Sequence, residues 1–135
     1  MSPALDQEPT EPTRANAAPA CTISVVDDDP SIRRSLTNLL DSLGWSVAAF
    51  ASAEDFLNSD LSATECLVLD VELPGMSGLD LLDRLTRGRY GLRVVMLTAH
   101  GDAHTRKRAV ELGAAAFLSK PFRSDELMRS LQGCV

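Results

Sequence analysis

Cys66-Leu67-Val68-Leu69-Asp70 runs a small thiol and three large apolar residues straight into one aspartate, and Val71-Glu72-Leu73-Pro74-Gly75-Met76-Ser77-Gly78 then turns the chain. An apolar run without polar alternation is the pattern of a strand covered on both faces, as in the middle of a parallel sheet. Asp70 ends the run, so it is expected at the carboxyl edge of the sheet, where open α/β folds place their ligands. On its own, an aspartate ahead of a Pro-Gly turn does no more than open that turn. Its weight comes from the polar residues that end the other strands.

Working outward, Thr22-Ile23-Ser24-Val25-Val26 reads as a first strand followed by Asp27-Asp28-Asp29. Asp29 caps a helix with Pro30 in its first turn, Ile32, Leu36, Leu39, Leu40 and Leu43 share one face, and Gly44 closes it. Residues 45–50 form a second strand, and Ser52 starts a short helix with Glu54 and Asp55 where the dipole favours acids. After the central strand, a helix over 78–85 turns Leu79, Leu82 and Leu85 inward, and 93–98 is a fourth strand. A helix over 104–112 ends at Gly113 with a thin apolar stripe of Ala109, Val110 and Leu112. Residues 115–119 are the fifth strand, and a last helix from about Ser124 places Leu127, Met128 and Leu131 inward. This βαβα rhythm is that of an α/β, doubly wound parallel sheet with helices on both faces.

A chain of 135 residues suits one domain with a real core, and a 44% hydrophobic content is ordinary for a globular protein. The net charge of −6 argues against a nucleic-acid surface on this chain, because phosphate binding needs clustered positive charge. Cys21, Cys66 and Cys134 form no Cys-x-x-Cys pair; Cys66 is expected to act as a small buried hydrophobe, with neither zinc nor disulfides indicated. No apolar stretch approaches membrane-spanning length and no signal-peptide core is present, so a cytoplasmic protein without membrane contact is expected. Residues 1–20, with Pro3, Pro9, Pro12 and Pro19 among Ala, Thr and acids, are expected to be a disordered leader to a domain over 21–135.

Parallel strands end on the same side, so Asp27-Asp28, Asp70, Thr98 and Lys120 should meet at one sheet edge. Several carboxylates ionised together in a cleft are costly without a cation. A few carboxylates with an open side suit Mg²⁺, a hard ion that keeps several waters. Lys120 adds a point charge and Thr98 a hydroxyl donor. Such a set fits a phosphoryl group carried on a carboxylate, with Asp70 as the nucleophile and the metal and Lys120 neutralising the transferring group. Taken singly, Asp27-Asp28 would be helix-capping acids, Thr98 an ordinary strand residue and Lys120 a strand end before Pro121, across a peptide bond that can be cis. His100 and His104 have no soft-ligand cluster beside them and read as solvent-facing.

These residues resemble the receiver domain of two-component response regulators, over about residues 22–131. The motifs are Val25-Val26-Asp27-Asp28-Asp29, Leu69-Asp70 through Pro74-Gly75-Met76-Ser77-Gly78, Leu97-Thr98-Ala99-His100-Gly101, and Lys120-Pro121-Phe122. The resemblance implies a flavodoxin-like (βα)₅ fold with strand order 2-1-3-4-5. It further implies phosphorylation of Asp70 by a histidine kinase, and Mg²⁺ held by Asp28, Asp70 and the Glu72 backbone carbonyl, with Asp27 acting through water. Thr98 and Phe117 would be the switch pair and Lys120 the phosphate-pairing lysine. Arg34-Ser35-Leu36 and His100-Gly101-Asp102 are similar to the FixJ-type subgroup, whose members usually carry a LuxR-like DNA-binding domain; a homodimer on phosphorylation and a transcriptional output follow from that likeness. The alternative is a stand-alone receiver serving as a phosphorelay or interaction module.

Two other function classes fit less well. A haloacid-dehalogenase-type phosphatase would want a different pattern after its nucleophile than Asp70-Val71-Glu72-Leu73-Pro74, and a cap segment; turnover of a separate substrate is not expected. A receiver-like module that is never phosphorylated would lack part of the acid or lysine set, which is complete here. Leu73 stands where the family often has Met. Glu72 is an acid where neutral or basic residues are more usual, and its side chain is expected at the mouth of the site near His100. There it would slow small anionic phosphodonors by charge, unless it points to solvent or pairs with protonated His100.

Overall fold

The structure, a computed structural model, describes residues 22–132; the expected leader over 1–20, and the first residue and last three residues of the expected domain (21 and 133–135), lie outside them. Five strands, Thr22–Val26 (β1), Ser46–Phe50 (β2), Cys66–Asp70 (β3), Arg93–Thr98 (β4) and Ala116–Ser119 (β5), form one parallel sheet in the order β2-β1-β3-β4-β5. Between and after them run Pro30–Ser42 (α1), Ala53–Leu57 (α2), Gly78–Gly88 (α3), Ala103–Glu111 (α4) and Ser124–Ser130 (α5). This is the doubly wound fold and strand order expected from the sequence.

The continuous apolar runs are explained by two cores, one on each side of the sheet. Along each inner strand, alternate side chains point to opposite faces. Ile23, Val25, Cys66, Val68, Val95 and Leu97 meet Leu36 and Leu40 of α1, Leu127 of α5 and Leu131 just past its end. Val26, Leu67, Leu69, Val94 and Met96 meet Phe56 of α2, Leu81, Leu82 and Leu85 of α3, and Ala109 of α4. Ser24 is the polar exception within β1, buried but satisfied by the Thr64 hydroxyl at 2.7 Å. Removing these side chains from water contributes roughly 1.5–3 kcal/mol for each large aliphatic or aromatic residue.

Local chemistry sets the helix starts. The side chains of Asp29, Ser52, Ser77 and Asp102 each accept a first-turn backbone N–H of α1, α2, α3 and α4, worth about 1 kcal/mol apiece. Gly78 opens α3 because a Cβ there would overlap the Asp70 carbonyl oxygen.

Several details depart from the periodicity. Leu43 lies past the end of α1 and is 48% exposed, and Val110 of α4 is 61% exposed. Ala109 is the one buried residue of α4, so this helix is anchored even more thinly than its sequence suggests. In α3 it is Leu81, with Leu82 and Leu85, that is buried, while Leu79 is half-buried. Cys66 is disulfide-bonded, which corrects the expectation of reduced thiols without disulfides.

Candidate functional site

The site lies where β1, β3, β4 and β5 end. Val26 pairs with Leu69, so the residues that follow, Asp27 and Asp70, come side by side at the sheet edge. Thr98 pairs with Ser119, and the Lys120 N–H donates to the Thr98 carbonyl at 2.7 Å, which brings the lysine to the same edge. Asp70 and Asp27 are 2% and 1% exposed, and Thr98 is fully buried; Asp28 is exposed. Carboxylate oxygens of Asp27, Asp28 and Asp70 all lie within 4.8 Å of one another. Three oxygen ligands from acids with one exposed member fit a hard divalent cation that retains water on its open side.

Lys120 provides the positive charge built into this cluster. Its Nζ lies 2.9 Å from Asp27 Oδ2 and 3.5 Å from Asp70 Oδ1. Burial works to lower the Lys120 pKa, but the hydrogen bond and charge of Asp27, with those of Asp70, outweigh it and hold the ammonium above its usual range. One lysine does not satisfy three acids. Burial first, then the neighbouring Asp27 charge, push Asp70 up to about 7 against the pull of Lys120. Near neutrality, without a further cation, Asp70 is therefore held between its acid and its carboxylate forms.

The loops around the cluster are tied by contacts that sequence patterns did not single out. Arg33, on α1, donates through Nη1 to the Asp27 carbonyl at 2.7 Å and fixes the turn after β1. The Asp29 N–H donates to Asp27 Oδ1 at 2.9 Å. On the other side, Glu54 Oε2 accepts the Met76 N–H at 2.9 Å and joins α2 to the loop after Asp70. A lone arginine or glutamate in an amphipathic helix carries no signal for such a contact; only the close return of the loops creates it. The Lys120–Pro121 peptide is cis.

Glu72 makes contacts that neither alternative drawn from the sequence named. Its side chain turns across the site to the end of β4, where Oε2 accepts the Thr98 hydroxyl at 2.6 Å and Oε1 accepts the Ala99 N–H at 3.2 Å. The Glu72 N–H itself donates to Asp70 Oδ1 at 3.3 Å. His100 is exposed at the mouth, and its backbone N–H donates to Thr98 Oγ1 at 3.0 Å. Phe117 is a buried residue of β5, paired with Met96 of β4. The structure thus brings Asp27, Asp28, Asp70, Glu72, Thr98 and Lys120 together, with His100 at the rim and Phe117 farther back along β5.

A family model described as the response regulator receiver domain matches residues 23–132. Among curated proteins, the chain is 50% identical over 107 residues to nodulation protein W of Bradyrhizobium diazoefficiens, covering 78% of this chain and 47% of that protein. It is 43% identical over 117 residues to the transcriptional regulatory protein TdiR of Thauera aromatica, covering 86% of this chain and 52% of that protein. The chain thus spans about half the length of these relatives. Among solved structures, the response regulator StyR superposes with a TM-score of 0.78 at 42% identity, over 85% of this chain and 59% of that one. FixJ-N superposes with a TM-score of 0.75 at 32% identity, over 83% of this chain and 90% of that one. Among the described residues, no helix is long and apolar enough to cross a membrane.

Proposed function

Because the chain belongs to the response regulator receiver domain family, we propose that it is a cytoplasmic phosphorylation switch whose Asp70 accepts a phosphoryl group from a partner histidine kinase. The observation that carries this reading is the convergence of three carboxylates and Lys120 on one sheet edge, with Asp70 buried and short of positive charge. In the transfer, an Asp70 carboxylate oxygen forms the O–P bond as the N–P bond to the kinase histidine breaks, and the electron pair returns to the imidazole. Asp28, Asp70 and the Glu72 backbone carbonyl would hold Mg²⁺, with Asp27 behind them, and the bound ion would supply positive charge where the phosphoryl oxygens gather. Lys120 has the reach to pair with the phosphoryl group from the β5 side, and Asp27 keeps it charged and aimed.

Thr98 donates to the phosphoryl group, and the movement of its hydroxyl opens space for the Phe117 ring. The thinly anchored α4 then shifts, and the face of α4 and β5 supports a homodimer. The relatives named as transcriptional regulators support a transcriptional output for the whole protein. Intact mass after incubation with Mg²⁺ and acetyl phosphate tests the central step. One phosphoryl group should be gained, and the gain should vanish in Asp70→Asn or in EDTA. A gain that survives in Asp70→Asn places the acceptor elsewhere.

A further inference from the structure

Thr98 and Ala99 offer two adjacent donors, a side-chain hydroxyl and a backbone N–H, at the end of β4. Both are taken by a single anion, the Glu72 carboxylate, one oxygen each. The O–H···O contact of 2.6 Å is in the short range of charge-assisted bonds. The Thr98 oxygen is also engaged as an acceptor, from the His100 N–H at 3.0 Å. Its one proton is therefore committed to Glu72. The Glu72 N–H meanwhile holds Asp70 Oδ1 at 3.3 Å, so the residue is tied both to the acceptor and to the switch threonine.

A phosphoryl group on Asp70 is another multi-oxygen anion seeking donors at the same edge. From these contacts we infer that the Glu72 carboxylate is a built-in placeholder, an internal anion that occupies the donor pair an incoming phosphoryl group needs. It acts as a brake on phosphorylation and is evicted when Asp70 is modified. This rests on Asp70 being the phosphoryl acceptor. It differs from simple charge repulsion in one checkable respect. Repulsion across an exposed loop fades as salt screens it, whereas a contact that must be broken still has to be broken in high salt.

The test uses the wild-type chain, Glu72→Ala and Glu72→Gln, with two readouts. The first is hydrogen exchange of the Ala99 amide, followed by NMR in the unphosphorylated protein. The second is the rate of labelling by acetyl phosphate with Mg²⁺, followed by intact mass at low salt and at high salt. In Glu72→Ala the Ala99 amide should exchange at least tenfold faster, and labelling should be at least fivefold faster, with most of that advantage kept at high salt. Glu72→Gln keeps an oxygen for the Thr98 hydroxyl and has no second acceptor for Ala99, so it should fall between. Unchanged exchange at Ala99, labelling no faster than wild type, or an advantage that disappears in high salt each overturns the placeholder. Absence of labelling in all three chains overturns the acceptor assignment, and the brake with it.

Discussion

The guanidinium of Arg106 lies over the ring of Phe117, 5.1 Å from its centroid. Phe117 belongs to the core cluster under α3 and α4, so the arginine closes over an otherwise buried ring from α4. Ala109 is the one buried residue of α4, and this cation–π contact adds a link between the helix and β5. The contact links the Phe117 ring to the position of α4.

Arg106→Ala should cost about 0.5–1 kcal/mol in chemical denaturation, the usual worth of a cation–π pair near the surface. It should also loosen α4, giving faster exchange of its amides with little change at α1. Phe117→Ala should leave labelling of Asp70 intact and uncouple it from dimerisation. Sedimentation with and without a phosphoryl mimic reads this out; a wild-type chain that stays monomeric in both states removes the dimer from the mechanism.

The metal-free protein should lose stability as pH rises. Asp70 is shifted from 3.8 to about 7, so the folded chain holds this proton more tightly than the unfolded chain. Stability is then undiminished below the unfolded value, declines through the interval between the two, and stays low above the folded value. Allowing for water at the open side of the cleft, the loss is about 2 kcal/mol. Thermal melts in EDTA should show a lower Tm at pH 8 than at pH 5.5, Mg²⁺ should restore it at pH 8, and Asp70→Asn should flatten the profile. A wild-type profile as flat as that of the Asn variant would refute the shift.

If the proposed site holds the ion, Asp28→Ala and Asp70→Ala should each weaken Mg²⁺ binding by about tenfold or more, since each would remove a direct ligand. Asp27→Ala should weaken it less, because that carboxylate is already engaged by Lys120 at 2.9 Å. Calorimetric titration decides; unchanged affinity in the Asp28 variant removes the site.

Lys120→Ala separates metal binding from transfer. Deleting one positive charge beside the acids should leave Mg²⁺ affinity equal or a few-fold tighter. Labelling by acetyl phosphate should fall at least tenfold, a loss of about 1.4 kcal/mol in barrier stabilisation. Loss of both together would mean that the lysine is structural.

The strands were legible because their chemistry is local. Three apolar residues ending in Asp70, and a β4 run ending in Thr98, state both burial and the edge at which burial stops. Once the strands are parallel, the shared location of Asp27, Asp28, Asp70, Thr98 and Lys120 follows from topology alone. What periodicity could not state is how far the sheet extends beneath each helix. Leu43 falls past the helix end, and Val110 points away from the sheet, yet both carry the right spacing. The Ser24–Thr64 pair and the Glu72 bridge join residues distant in sequence, and the Arg33 contact to the Asp27 carbonyl spans a turn, all through flexible polar side chains. Such contacts depend on rotamers and loop returns, which leave no spacing rule. The Cys66 disulfide escaped for a related reason, since wide cysteine spacing says nothing about proximity in the fold.

The two cores on opposite faces of the sheet let stability and signalling be distributed unevenly. Among the described residues, the core packed on α1 and α5 contains no residue of α4, so a shift of α4 breaks no contact within that cluster. Substitutions in Leu36, Leu40, Leu127 or Leu131 should alter how often the whole domain unfolds while leaving its response to phosphorylation unchanged in kind. Substitutions at Ala109 and Phe117 should also lower stability, because both are buried, and should in addition alter the response to phosphorylation. A receiver built this way can vary around α4 over evolutionary time while the opposite layer preserves the scaffold that keeps the carboxylates aligned.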